Sequence, residues 1–98
     1  MFFYQRKIME GTIRIDKVFN ITGLGVIPVG VVMNGTVKIG MQAIINGKTA
    51  TINTIEMNHQ QLQESNGGMQ IGFSLKGVKQ KDVLTGTIIT FTDETPKA

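Results

Sequence analysis

The chain has no cysteine, a single histidine and only two prolines among its 98 residues. Without cysteine there is neither a disulfide framework nor a thiolate metal site. Small secreted domains usually rely on such bridges, so a cytoplasmic location is expected. The one histidine, His59, sits in a glutamine-rich stretch with no cysteine to join it, and neither a metal centre nor a hydrolytic triad can be assembled around it. No apolar run approaches the ~20 residues that a membrane span requires. The first eleven residues, MFFYQRKIMEG, put apolar residues ahead of charged ones, the reverse of a signal peptide. Neither membrane insertion nor export is expected. The sequons at Asn20 and Asn34 are accordingly read as turn residues. The scarcity of proline beside 12 glycines points to turns and bulges instead of disorder.

What is present fits one small domain. A chain of this length buries a single modest core and leaves no room for a separate catalytic domain. A net charge of +3 leans toward anionic partners but lacks the dense basic patch of a dedicated nucleic-acid binder.

The apolar pattern has period two nearly throughout. Residues 12–19 place Ile13 and Ile15 on one face and Arg14 and Asp16 on the other, then break period at Val18 and Phe19, where a bulge or corner is expected before a loop over 20–25. Residues 26–33 form a β-branched run interrupted by Pro28 and Gly30. Because proline donates no ladder hydrogen bond, the strand is expected to be bent or exposed near Pro28. Asn34-Gly35 and Asn46-Gly47 each separate apolar runs and read as two-residue hairpin turns. Residues 48–57 alternate with Ala50, Ile52 and Ile55 inward, and the slip between Ile52 and Ile55 implies a bulge. Residues 58–68 are polar except for Leu62 and read as a long loop that Leu62 plugs into the core. In residues 69–78, Met69, Ile71, Phe73 and Leu75 share one face, the clearest strand of the chain. A helical turn or short loop over 79–84 and a final strand over 86–91 complete the series. About six short strands with glycine-rich turns and no helix to cover a face predict an all-β closed barrel, since closure removes exposed edges. The expected organisation is an N-terminal extension over 1–11, one barrel domain over 12–92 and a polar tail over 93–98.

Two nucleotide-binding patterns are excluded. Gly23-Leu24-Gly25 has Pro28 where a dinucleotide fingerprint needs its third glycine, and a strand follows in place of a helix. Gly47-Lys48-Thr49 ends like a P-loop, but the leading glycine falls on Gln42. No nucleophile, base and oxyanion set can be brought together, so neither an enzyme nor a cofactor is expected, and no nucleotide binding by this chain.

The pattern I-x-x-V-F-x-I-x-G-x-G-x-x-x-x-G-x-V-x-x-G-x-x-K-x-G from Ile15 to Gly40 resembles domain 2 of the translational GTPases, in the form found in elongation factor Tu. The resemblance continues through Ile55-Glu56-Met57, Leu62-x-Glu64, Gly68-x-x-Ile71-Gly72-x-x-Leu75-Lys76-Gly77-Val78 and Gly86. It implies a six-stranded antiparallel β-barrel of the translation-factor domain 2 type, here as a stand-alone domain. In that family the barrel docks on a GTP-binding domain and contacts RNA: the aminoacylated end of transfer RNA in some members, the small ribosomal subunit in others. The family's GTPase chemistry lies in a different domain.

Carried over residue by residue, the resemblance places Glu56 where a glutamate meets the terminal ribose or base, and Ile21 and Gly23 where an isoleucine and a glycine line the pocket. Leu24 replaces an arginine, Lys17 an acidic residue, Val29 a threonine, Asn58 a histidine, Gln70 an asparagine and Ser74 a leucine. Loss of the arginine removes a charge and a rigid donor fork. The candidate RNA-binding residues are therefore Ile21, Gly23, Glu56 and Gln70. Lys76, Lys79 and Lys81 join them because their clustering suits phosphate contacts. Phe2, Phe3 and Tyr4 beside Arg6 and Lys7 offer base stacking or burial. Two functions stay open: a module that binds transfer RNA or ribosomal RNA, and a protein-interaction module that docks on a GTPase or another chain.

Overall fold

The computed structural model describes residues 8–94, so the aromatic cluster at Phe2, Phe3 and Tyr4 and the last four residues of the tail lie outside the described residues. Eight strands run in chain order: β1 (Glu10–Ile21), β2 (Gly25–Lys38), β3 (Gln42–Ile45), β4 (Lys48–Met57), β5 (Gln60–Leu62), β6 (Glu64–Asn66), β7 (Gln70–Lys76) and β8 (Ile88–Thr92). Six of them close into a ring in the order β1-β8-β3-β4-β7-β2 and back to β1, every pairing antiparallel. β5 and β6 are appended outside this ring on β4 and β2. The all-β, six-stranded antiparallel barrel expected from the sequence is the fold observed. Among the described residues no helix is long and apolar enough to cross a membrane.

Alternation fills the interior as the sequence requires. Ile13 and Ile15 from β1, Ile52 and Ile55 from β4, and Ile71 and Phe73 from β7 are all buried. The rings of Phe73 and Phe91 meet edge to face with centroids 5.9 Å apart, a favoured aromatic geometry. The expected bulge in β4 is present: the β4–β7 register shifts between Ile52 and Thr54, and the extra residue, Asn53, lets two isoleucines three positions apart both face inward. Asn46-Gly47, at φ 51° and 75°, joins β3 to β4 as a two-residue turn closed by the pair Ile45 and Lys48.

Several expectations are corrected. Asn34-Gly35 is no hairpin turn; β2 runs straight through it, changing partner from β7 to β6. Gly35, at φ 70°, faces the backbone carbonyl of Glu10 so closely that no Cβ fits. The glycine there serves strand crossing, not chain reversal. Val18 and Phe19 stay in register with Pro28 and Ile27, and the β1 bulge lies earlier, between Ile15 and Lys17. β1 continues to Ile21, leaving a three-residue tip, Thr22 to Leu24, in place of the longer loop.

Pro28 lies neither at an edge nor in solvent. It is fully buried between β1 and β7, and the β2–β7 pairs step over it from Val26–Leu75 to Val29–Gly72, so the missing donor is met by an interrupted ladder. The stretch read as a long loop holds β5 and β6, entered by a turn with Asn58 at φ 52° and His59 at φ 64°. Leu62 does pack against the core, half-buried. β1 also begins at Glu10, which pairs with Thr92, so it takes in the last two residues of the segment read as an extension.

Ring closure is uneven. β8 pairs with β1 at five positions, Glu10–Thr92 through Arg14–Ile88, but with β3 only at Gln42–Thr92. A single 3₁₀ turn, Gln80–Asp82, links β7 to the last strand. Its Asp82 carboxylate is enclosed and accepts hydrogen bonds from Lys48 Nζ, Asn46 Nδ2 and the Lys79 backbone N–H, each at 2.8 Å.

Candidate RNA-binding groove

The outer face of the β4–β7 pair is the floor of the groove that gathers the candidate residues. After the Asn53 bulge, Thr54 and Glu56 point outward from β4, opposite Ser74 and Gly72 on β7. The hydroxyls of Thr54 and Ser74 are 2.7 Å apart and bond to each other. Gly72 has no side chain to fill the space beside Glu56, which leaves a hollow. The β1–β2 tip with Gly23 and Leu24 forms one wall and the β4–β5 turn with Asn58 and His59 another. The groove measures about 550 Å³.

The tip owes its shape to local rules. Ile21 pairs with Gly25, and the Leu24 N–H donates to the Ile21 carbonyl at 2.9 Å. Gly23 sits at φ 85°, where residues with a Cβ are strained. Leu24 is thereby turned out to solvent, 65% exposed. The opposite wall uses Asn and His at positive φ, two of the few non-glycine residues that adopt it readily.

The structure brings together two of the candidates drawn from the sequence, Gly23 and Glu56, on opposite sides of this groove. Ile21 closes the tip but does not line the hollow, and Gln70, paired with Val31 at the start of β7, lies outside it. Lys79 and Lys81 line a different concavity, of about 670 Å³, together with Asn20 and Gly25 from the same β1–β2 tip. Lys76, opposite Thr51, lines neither. Leu24, Asn58 and Ser74, named from the sequence as departures from the family's pocket, also line the groove, whereas sequence reading missed Asn53, Thr54 and His59. For His59 the readable signal was the Asn-His pair between the alternating run that ends at Met57 and the polar run that starts at Gln60, a turn without glycine.

Chemically the groove is a hydrogen-bonding site with an apolar lip. Glu56 supplies acceptors, Asn53, Asn58 and Gln61 supply amides, and Leu24 and Ile27 supply apolar surface. Among the described residues no lysine or arginine lines it. Among the described residues no three His, Cys, Asp or Glu side chains are grouped so as to hold a metal ion.

Comparison with known proteins bears on this geometry. Residues 25–90 match the family model described as elongation factor Tu domain 2. Elongation factor 1-alpha of Desulfurococcus mucosus is 38% identical over 86 residues, covering 86% of this chain and 20% of that protein. Elongation factor 1-alpha of Archaeoglobus fulgidus is 35% identical over 94 residues, covering 92% of this chain and 22% of that protein. The chain thus spans about one fifth of the length of these relatives. The apo crystal structure of translation elongation factor SelB from Methanococcus maripaludis superposes with a TM-score of 0.72 over 83% of this chain and 18% of that one; at 24% identity the likeness is one of fold.

Proposed function

Because the chain belongs to the elongation factor Tu domain 2 family, we propose that it is a non-catalytic translation-factor module whose groove holds structured RNA, either a transfer RNA end or ribosomal RNA. The observation that carries this reading is the meeting of Gly23 and Glu56, distant in sequence, across one groove. These are the positions that the family resemblance assigns to the pocket. A carboxylate beside amide donors and an apolar lip suits a ribose with its base: hydroxyls donate to Glu56 while the base face rests on Leu24 and Ile27. A cytoplasmic location belongs to the same proposal.

The test is filter binding of transfer RNA and ribosomes to the full chain over a range of salt. Salt-dependent binding is expected, and Glu56→Ala weakens it about tenfold, the ~1.4 kcal/mol of a hydrogen bond to a charged group. Absence of binding to either RNA at low salt rejects the reading.

A second reading, docking on a GTPase or another protein, is favoured by a separate feature. Leu84 and Ile88 are 62% and 60% exposed and, with Ile44 and Ile89, line a depression at the β3–β8 seam that shares no residue with the groove. Co-purification that returns a protein partner, with no nucleic-acid absorbance, supports this reading over the first.

A further inference from the structure

Pairing around the barrel runs out between β3 and β8. The one pair across this seam is Gln42–Thr92, and the antiparallel register it sets would place Ile44 opposite Thr90 and Asn46 opposite Ile88, yet neither pair forms. Strand alternation says which backbone groups are left over. The Ile52 N–H donates to the Met41 carbonyl at 2.9 Å, so Met41, Ala43 and Ile45 direct their backbone groups at β4, and Ile44 directs its own at β8. Across the seam, the Ile15 N–H donates to the Thr87 carbonyl at 2.8 Å, so Thr87, Ile89 and Phe91 bond β1 while Ile88 and Thr90 face β3. The backbone groups of Ile88 and Thr90 therefore form an edge of β8 with no strand beside it. Edges are ordinarily blunted by a charge, a proline or a bulge. Ile88–Thr92, with the sequence IITFT, carries none of these.

This edge opens into the depression lined by Leu84 and Ile88, with Ile44 on the opposite side, a space of about 380 Å³. Among the described residues its one charged lining group is Asp82, whose carboxylate already accepts from Lys48 and Asn46. The site thus offers a row of backbone hydrogen-bonding groups, apolar flanks and no uncompensated charge. Resting on the protein-docking reading given second above, we infer that it takes an extended, uncharged peptide segment of another protein chain, apolar at alternate positions, which adds antiparallel to β8 as a further strand. Residues of that segment exchange hydrogen bonds with Ile88 and Thr90, and its alternate side chains rest on Leu84, Ile88 and Ile44. At ~3.4 Å per residue, the free stretch of β8 takes about three residues of the partner. A charged residue at the centre of the segment would be desolvated without a counter-ion. Phosphates likewise find no lysine or arginine among the described lining residues, so the chemistry selects peptide over RNA.

The experiment uses the isotope-labelled full chain and a synthetic peptide of alternating valine and threonine, capped at both ends, with binding and amide exchange followed by NMR. Binding is expected, and with peptide present the amide protons of Ile88 and Thr90 should exchange at least about tenfold more slowly, while those between β2 and β7 keep their rates. The same peptide carrying N-methyl groups on the amides that face β8 retains its side chains and loses its donors; it should bind at least about tenfold more weakly. Thr90→Pro removes a seam-facing donor and no β1–β8 bond, and should weaken the unmethylated peptide about tenfold. Ile88→Asp, at an exposed position, puts a charge on the edge and should do the same whether or not the proline variant folds. Equal binding of the two peptides, or unchanged binding by Ile88→Asp, overturns strand addition and leaves protein docking standing. So does failure of the unmethylated peptide to bind while a protein partner still co-purifies. Failure of the peptide together with the absence of any co-purifying protein overturns the inference and the docking reading alike.

Discussion

Lys48 and Asp82, 34 residues apart in the chain, meet with Nζ 2.8 Å from Oδ2. The carboxylate is enclosed and the lysine side chain is 40% exposed, so the charge on Asp82 depends on the donors gathered around it. The hydrogen bond from Lys48, then those from Asn46 and the Lys79 N–H, hold its carboxyl well below the ordinary value of 3.8, against the opposing effect of desolvation. A carboxyl whose pKa is depressed by folding stabilises the protein above its unfolded pKa, and that contribution is lost as pH falls toward the folded value. The melting temperature is therefore expected to drop as pH is lowered from about 4 toward about 2. Asp82→Asn melts lower than the unaltered protein at pH 7, and the two curves approach each other in acid. Thermal unfolding followed by circular dichroism across this range checks both statements.

Gly30 is paired with Ile15 on one side and Ile71 on the other. A Cβ there would run into the Arg14 carbonyl and lie 2.9 Å from Ile13 Cγ2. Gly30→Ala is expected to cost roughly 2–3 kcal/mol through overpacking. Gly23→Ala, with no atom within 4 Å of the added carbon but a φ of 85°, costs about 1 kcal/mol from backbone strain alone. Urea unfolding of the two variants should separate them clearly.

Phe91 is fully buried on the last strand and supplies half of the aromatic pair with Phe73. Phe91→Ala should remove about 3–5 kcal/mol, a large share of the ~5–15 kcal/mol that a small domain has. The variant is expected to unfold at markedly lower urea than Phe91→Leu, which keeps most of the volume.

Leu24 is exposed enough for Leu24→Arg to leave stability within about 0.5 kcal/mol. The added guanidinium brings a cation to a groove that, among the described residues, no lysine or arginine lines. RNA affinity should rise, its salt slope should steepen by about 0.7, and an RNA with a terminal phosphate should gain the most. Anisotropy titrations over the same salt series measure all three effects.

Strands with one buried face were legible because period-two alternation is enforced by the pleat: Ile13 and Ile15, Ala50 and Ile52, and Ile71, Phe73 and Leu75 all point where alternation put them. Asn46-Gly47 was legible as well, since its turn is decided by its own two residues. Asn34-Gly35 carries the same dipeptide, but its outcome is fixed by Glu10, a distant residue against which Gly35 must pack. β5 and β6, three residues each, are too short to show a period and owe their pairing to the edges of β4 and β2. In the groove, Gly23 and Glu56 could be singled out through the family pattern. The contact between Thr54 and Ser74 could not, because it depends on the register that the Asn53 bulge sets between β4 and β7.

The ring's uneven closure has a mechanical meaning. With five rungs to β1 and one to β3, β8 is a clasp hinged on one side, and the Gln42–Thr92 rung is its catch. Releasing that catch opens the cylinder into a sheet with every other strand pair intact, so amide protons along β3 and β8 that face the seam should exchange with solvent ahead of those between β2 and β7.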